Sequence, residues 1–203
     1  MKIENINIKG EAYVHCRAKF YIAQDGLSLD KNYTFKLGIN KLIGEIDSDI
    51  WGVSYCMSMY KYRKKDFILF ENIDVTVNNL TMSLDELSKY TCYLDDIYYP
   101  LFNTRKSVRK LIEQGIKKSR LSSTPDEIKS FFGLDSERYE RRVQYVGNER
   151  FRAMAAIGYA HGKQVYCFPW LSKKRFDSYH GNITYLLDML EELGMIAIVP
   201  IGE

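Results

Sequence analysis

The chain has 203 residues, 46% apolar and 27% charged, with a net charge of +3 at neutral pH. That length suffices for one sizeable core, and the proportions are those of an ordinary soluble globular protein. The small charge excess gives no argument for a nucleic-acid or membrane-surface partner, and no apolar run approaches the roughly 18 residues a spanning helix needs.

The opening MKIENINIKG has no apolar secretion core and alternates Ile3, Ile6 and Ile8 with polar residues, which predicts a strand over 1–9. Residues 11–22 form a second β-rich stretch, and Asp25-Gly26 reads as a turn. Tyr33 to Ile43 reads as a strand that leads through Gly44 into a polar turn, with a helix from Gly52 to Tyr62.

That strand–loop–helix layout is the one used by phosphate-binding loops of consensus G-x-x-x-x-G-K-[ST]. Set on Gly44, the consensus asks for glycine, lysine and a hydroxyl where the chain has Asp49, Ile50 and Trp51. Asp47 and Asp49 place negative charge where a polyphosphate sits, Ile50 removes the countercharge, and Trp51 removes the metal ligand. An ordinary strand–turn–helix that never bound a nucleotide reads equally well from this stretch alone.

Short strands follow at 67–70 and 73–77, with a turn at Asn78-Asn79. Ser83 and Glu86 form a cap pattern that opens a short helix. LDDIYYPLFN (94–103) is a loop, and 104–118 is an amphipathic helix with Val108, Leu111, Ile112 and Ile116 on one face. Thr124-Pro125-Asp126-Glu127 starts another helix, ending near Gly133. Residues 147–160 form a helix with a small-residue packing face, stopped by His161-Gly162. Residues 164–168 and 195–199 are apolar runs suited to buried parallel strands, with a helix over 183–193 between them.

Cys16, Cys56, Cys92 and Cys167 show no paired spacing and read as reduced, buried thiols of an intracellular protein. A metal site with His15, a Cys167 pair with His161 or His180, and carboxylate chemistry at Asp95-Asp96 or Glu191-Glu192 all lack a supporting spacing. Arg138, Arg141, Arg142, Arg150 and Arg152 form a basic cluster that reads most simply as a solvated helix face. The 16 tyrosines suit a core or a large mixed interface.

The order of elements and several local sequences resemble the ATP-binding domain of ABC-type ATPases over nearly the whole chain. MKIENI is similar to that family's opening strand, and KLGINKLIGEIDSD to its strand and phosphate loop. YYPLFNTRKSVRKLIEQG is similar to the segment after its glutamine loop. YVGNERFRAMAAIGYAHGKQVYCFPW is similar to its signature, small-residue helix and acid-ended strand. The overlay puts the signature on Tyr145, Val146, Gly147, Asn148 and Glu149, the following arginine on Arg152, and a small helix residue on Ala156. The Asp-Glu pair falls on Pro169 and Trp170, or on Cys167 and Phe168; the expected glutamine falls on Asp95 or Asp96, and no histidine stands near Pro200 or Ile201.

The resemblance implies an α/β fold like the phosphate-loop NTPases. It would have a mostly parallel central sheet, an antiparallel β layer from the N-terminal half and a helical segment at about 104–160. The chain would be a single domain, 1–203, with its core in 1–103 and 161–203. Losing the lysine, metal ligand, base and switch histidine together implies a non-catalytic homologue with no ATP or magnesium as cofactor, since positioning and electrostatics supply nearly all of this catalysis.

Function then rests on protein partners: a homodimer, or a heterodimer with an active ABC-type ATPase. The dimer would be cytoplasmic, or peripheral to the inner face of a membrane through a permease, in peptide or small-molecule export or immunity. Gly147, Asn148, Glu149 and Arg150 would then point across an interface. Two alternatives are a free-standing scaffold or regulator that binds a peptide or a peptide-modifying enzyme, and an ABC transporter subunit with residual nucleotide binding.

Overall fold

A computed structural model describes residues 1–10, 12–15, 24–27, 32–45, 49–64, 67–69, 73–95, 100–102 and 105–203. In the first of three sheets, β1 (Asn5–Lys9) lies between β4 (Asn32–Lys36) and β7 (Asp74–Val77), with β8 (Leu80–Thr81) outside, all antiparallel. The alternation of β1 has the expected result: Ile6 and Ile8 are buried, while the Asn7 amide donates to the Thr76 hydroxyl (3.3 Å) and accepts from that of Thr34 (2.8 Å) on the other face. Asn78 and Asn79 make the β7–β8 turn with φ of 50° and 65°, the left-handed pair that a two-residue hairpin demands.

The second sheet is parallel, in the order β5 (Gly38–Ile43), β11 (Ile196–Ile201), β10 (Val165–Cys167), β9 (Thr91–Tyr93). β9, β10 and β11 are buried along their whole length, which is why their sequences are apolar runs without alternation. The expectation of one strand from Tyr33 to Ile43 is corrected. Gly38 turns the chain from the first sheet into the second with φ +90°, a conformation closed to side chains with a Cβ. The Asn40 side chain ties this corner, accepting from Lys36 N–H (3.1 Å) and donating to Lys36 O (2.8 Å).

The third sheet joins β2 (Ala12–His15) to β3 (Gln24–Leu27) and β6 (Phe67–Leu69), antiparallel. Asp25-Gly26 lies inside β3, opposite Val14 and Tyr13, so the turn expected there is absent. α1 (Asp49–Met59) packs against β9, β10 and β11 and also against β2 and β3. Ile50 through Met59 are all buried, so DIWGVSYCMSM shows no polar face. Its two serines are satisfied internally: Ser54 Oγ donates to Phe168 O (2.7 Å) and Ser58 Oγ to Ser54 O (2.8 Å). The helix starts three residues before the expected Gly52 and ends at Met59, short of Tyr62.

The remaining helices are α2 (Leu84–Leu87), α3 (Val108–Ser119), α4 (Pro125–Phe131), α5 (Ser136–Tyr139), α6 (Arg150–Ala160), α7 (Lys173–Ser178) and α8 (His180–Glu192). Capping boxes at Ser83/Glu86 and Thr124/Glu127 form as the sequence predicts. α3 begins at Val108 and not at Thr104, because Ser107 takes the cap and accepts from Lys110 N–H. α6 begins at Arg150, since Gly147–Glu149 closes a separate 3-10 turn. α3 and α6 approach closely through small residues. A Cβ on Gly115 would stand 2.8 Å from the Ala160 carbonyl carbon and 2.6 Å from His161 Cδ2. The fold is the expected α/β one: a parallel sheet, antiparallel sheets from the N-terminal half, and a run of helices over 108–160.

Candidate functional site

In open α/β sheets, ligands bind beyond the carboxyl ends of the parallel strands. Here β5 ends at Ile43 and α1 starts at Asp49, an interval that matches a phosphate-binding consensus set on Gly44. Gly44 is held on both sides of its backbone: its N–H donates to Ile201 O (3.0 Å), and its carbonyl accepts from the Trp170 indole N–H (3.1 Å). The sequence overlay assigned Gly44 and Trp170 to two different motifs, 126 residues apart, and the fold brings them into direct contact. Asp47 and Asp96 lie outside the described residues; Asp95 is half-buried after β9.

The two positions after Asp49 face inward. Ile50 is 6% exposed and Trp51 is 9% exposed. Trp51 stacks on Tyr55 (5.1 Å between rings, 19°), and Tyr55 meets Tyr93 edge-on (5.4 Å, 85°). The Trp51 indole N–H donates to the Tyr93 hydroxyl (3.2 Å), which closes a buried aromatic triad. The Trp51 ring, set where the consensus has a metal ligand, therefore goes into the core. Tyr93 and Ser54, which complete this junction, carry no motif that could mark them in the sequence.

At the end of β10, Cys167 and Phe168 are fully buried with their backbones engaged: Leu94 N–H donates to Cys167 O (2.8 Å), and Phe168 N–H donates to Ile198 O (2.9 Å). Pro169 and Trp170 follow at half-burial, and Leu171 bridges to Ile201. No acid stands at any of these four positions. Burial pushes the Cys56 and Cys167 thiols up to about 12 and the Cys92 thiol up as well, leaving all three protonated and inert. Among the described residues, no three His, Cys, Asp or Glu side chains gather into a metal site.

The signature-like segment makes different contacts. Val143 and Val146 are buried anchors of two 3-10 turns, between which Tyr145 stands 60% exposed. Gly147 takes φ +62° with open space around it. Glu149 was expected to point outward, and this is corrected: it is buried because its carboxylate is what closes the α5–α6 corner. It accepts from Arg138 Nη1 (2.8 Å) and from Asp135 N–H (3.1 Å), with Arg152 Nη2 at 3.7 Å. Arg138 also binds the Asn148 side-chain oxygen.

Arg152 is not solvated either. It donates to Gly133 O (2.8 Å), lies over the Tyr185 ring of α8 (5.7 Å), and is 13% exposed. Phe151, in the first turn of α6, meets Phe168 at 5.9 Å, so this segment touches the strand end through one ring pair. Beyond α6, Lys163 is buried and donates to Lys89 O (2.7 Å) and Ser88 O (3.3 Å); burial lowers it from the usual lysine range to about 8. Burial also lowers His161, whose Nε2 lies 3.2 Å from Leu111 O.

No protein-family model and no curated protein matches the sequence. Solved structures do match the fold. A protein described as an ABC transporter ATP-binding protein from Pyrococcus furiosus superposes with a TM-score of 0.60 at 14% identity, covering 98% of this chain and 90% of that one. A bacterial Atm1-family ABC exporter with ATP bound superposes with a TM-score of 0.57 at 8% identity. The match covers 100% of this chain and 35% of the exporter chain. At these identities the likeness is one of fold.

Proposed function

We propose that this chain, folded like the ATP-binding domains of ABC transporters, is a non-catalytic member of that group and works as a partner or structural subunit of an ABC-type ATPase. One observation carries the reading: the positions that the overlay gives to the lysine, the metal ligand and the strand-end acids hold Ile50, Trp51 and the uncharged run from Cys167 to Trp170. Ile50 and Trp51 are in the core, and Trp170 binds the loop glycine directly. Phosphoryl transfer needs a lysine, a metal and a water-polarising acid in place together. Residues 44–51, 145–152 and 169–170 are then the remains of the phosphate loop, the signature and the acid-ended strand, and 104–160 is the helical subdomain of a single domain.

The partner is a second copy or an active ATP-binding subunit, which itself docks on a permease for export or immunity. The exposed Tyr145 and Gly147 are the part of the signature segment still available to it.

A thermal-shift titration with magnesium and ATP tests the reading. Tight binding raises the melting temperature by mass action; the expected result is no shift up to millimolar ATP. Ile50→Lys combined with Trp51→Ser is expected to show no turnover, because no acid stands at the strand end. Measurable hydrolysis by that variant would overturn the proposal.

A further inference from the structure

Trp170 is joined to more than the loop. A Cβ on Gly202 would come within 2.8 Å of Trp170 Cζ2, so the indole edge takes the space beside the glycine that follows β11. The next residue, Leu171, exchanges backbone bonds with the same strand end: Leu171 N–H donates to Pro200 O (3.1 Å), and Gly202 N–H donates to Leu171 O (2.9 Å). Gly44 N–H is bound to Ile201 on that strand (3.0 Å). Three segments that part beyond the sheet are thus sewn together by one short ladder and one indole.

Resting on the reading above, we propose that Trp170 is an internal latch. Its ring replaces a bound ligand as the group that organises the start of the loop, so the C-terminal edge of the sheet is held in one arrangement without nucleotide. A subunit built this way presents the same face to its partner at all times. In a pair with an active ATPase, only the other half switches.

The glycine at 202 supports the assignment, because any side chain there would push the ring off the loop. So does the direction of the bond: a tryptophan N–H can only donate, and here it meets a backbone carbonyl, which can only accept.

Amide hydrogen exchange on the full chain tests the latch. Trp170→Phe keeps a ring but loses the donor, and Gly202→Ala keeps the indole but displaces it. Both are expected to speed exchange at Gly44, Glu45 and the first turn of α1 by about fivefold, the scale of one lost hydrogen bond, while amides of β1 and α6 keep their rates. Unchanged exchange at the loop in both variants, or a uniform increase throughout the chain, would overturn the latch. A wild-type run with millimolar magnesium-ATP separates the two readings. Slowed exchange at the loop on adding nucleotide overturns the claim that the latch has replaced a ligand, whereas only turnover in the hydrolysis assay overturns the non-catalytic reading. Loop rates indifferent to nucleotide but sensitive to Trp170→Phe support both.

Discussion

The loop–strand junction and the signature-like tip differ in how they handle polar groups. At the junction, an aromatic triad is buried, an indole N–H binds the Gly44 carbonyl, and the Gly44 N–H donates to Ile201 O. At the tip, the charges are retained but turned beneath the surface: Glu149 is pinned between Arg138 and Arg152, leaving Tyr145 and Gly147 exposed on a braced turn. One region is packed as core and the other is a braced scaffold. Under the function proposed above, these are two ways of keeping a fold after its chemistry has gone: burial in one, pairing in the other.

The comparison is tested hardest at Trp51. If the junction is core, Trp51→Ala removes a stacked, hydrogen-bonded side chain and costs about 3–5 kcal/mol by chemical denaturation. A cost under about 1 kcal/mol would mean that the triad is not packed.

Lys163 gives a pH signature. Its folded value of about 8 lies below the ordinary 10.5, so between those limits the unfolded chain holds a proton that the folded chain has released. Unfolding then takes up a proton, and this group's contribution to stability rises with pH. From pH 7.5 to pH 10 the wild type should gain about 2 kcal/mol relative to Lys163→Met, read as the difference between two denaturation series.

Glu149→Gln sharpens the scaffold side. With the carboxylate gone, two guanidiniums lose their shared anion, and a loss on the order of 2 kcal/mol is expected, below the full cost of breaking a buried pair because Arg138 is 37% exposed. Tyr145→Ala should be the mildest: within about 0.5 kcal/mol in stability, since the ring packs on little. Its effect should appear instead as weakened co-sedimentation with an intact partner subunit.

Much of this architecture was legible in the chain, and the reasons are local. The caps at Ser83 and Thr124, the stripe of Val108, Leu111 and Ile112, and the apolar runs of β10 and β11 each have a short-range cause. Where a cause lay in tertiary contact, the reading missed. Three-residue β9 exists because β10 pairs with it. The break at Gly38 depends on which sheet claims each side. α1 was placed three residues late because a helix buried on every side has no amphipathic period to mark its start. At the site, the succession of a strand, Gly44 and a helix was legible in the chain. The Gly44–Trp170 contact was not, because no sequence rule links an indole to a glycine 126 residues away.

The encirclement of α1 also bears on how the chain comes into being. Asp49–Met59 leave the ribosome when β9, β10 and β11, which cover much of that helix, have yet to be synthesised. Alone, an 11-residue segment carrying a glycine and several β-branched or aromatic residues is a poor helix in water. The nascent chain therefore carries a partly uncovered apolar segment until β9, β10 and β11 have followed it, and consolidation of this helix waits for Ile196–Ile201.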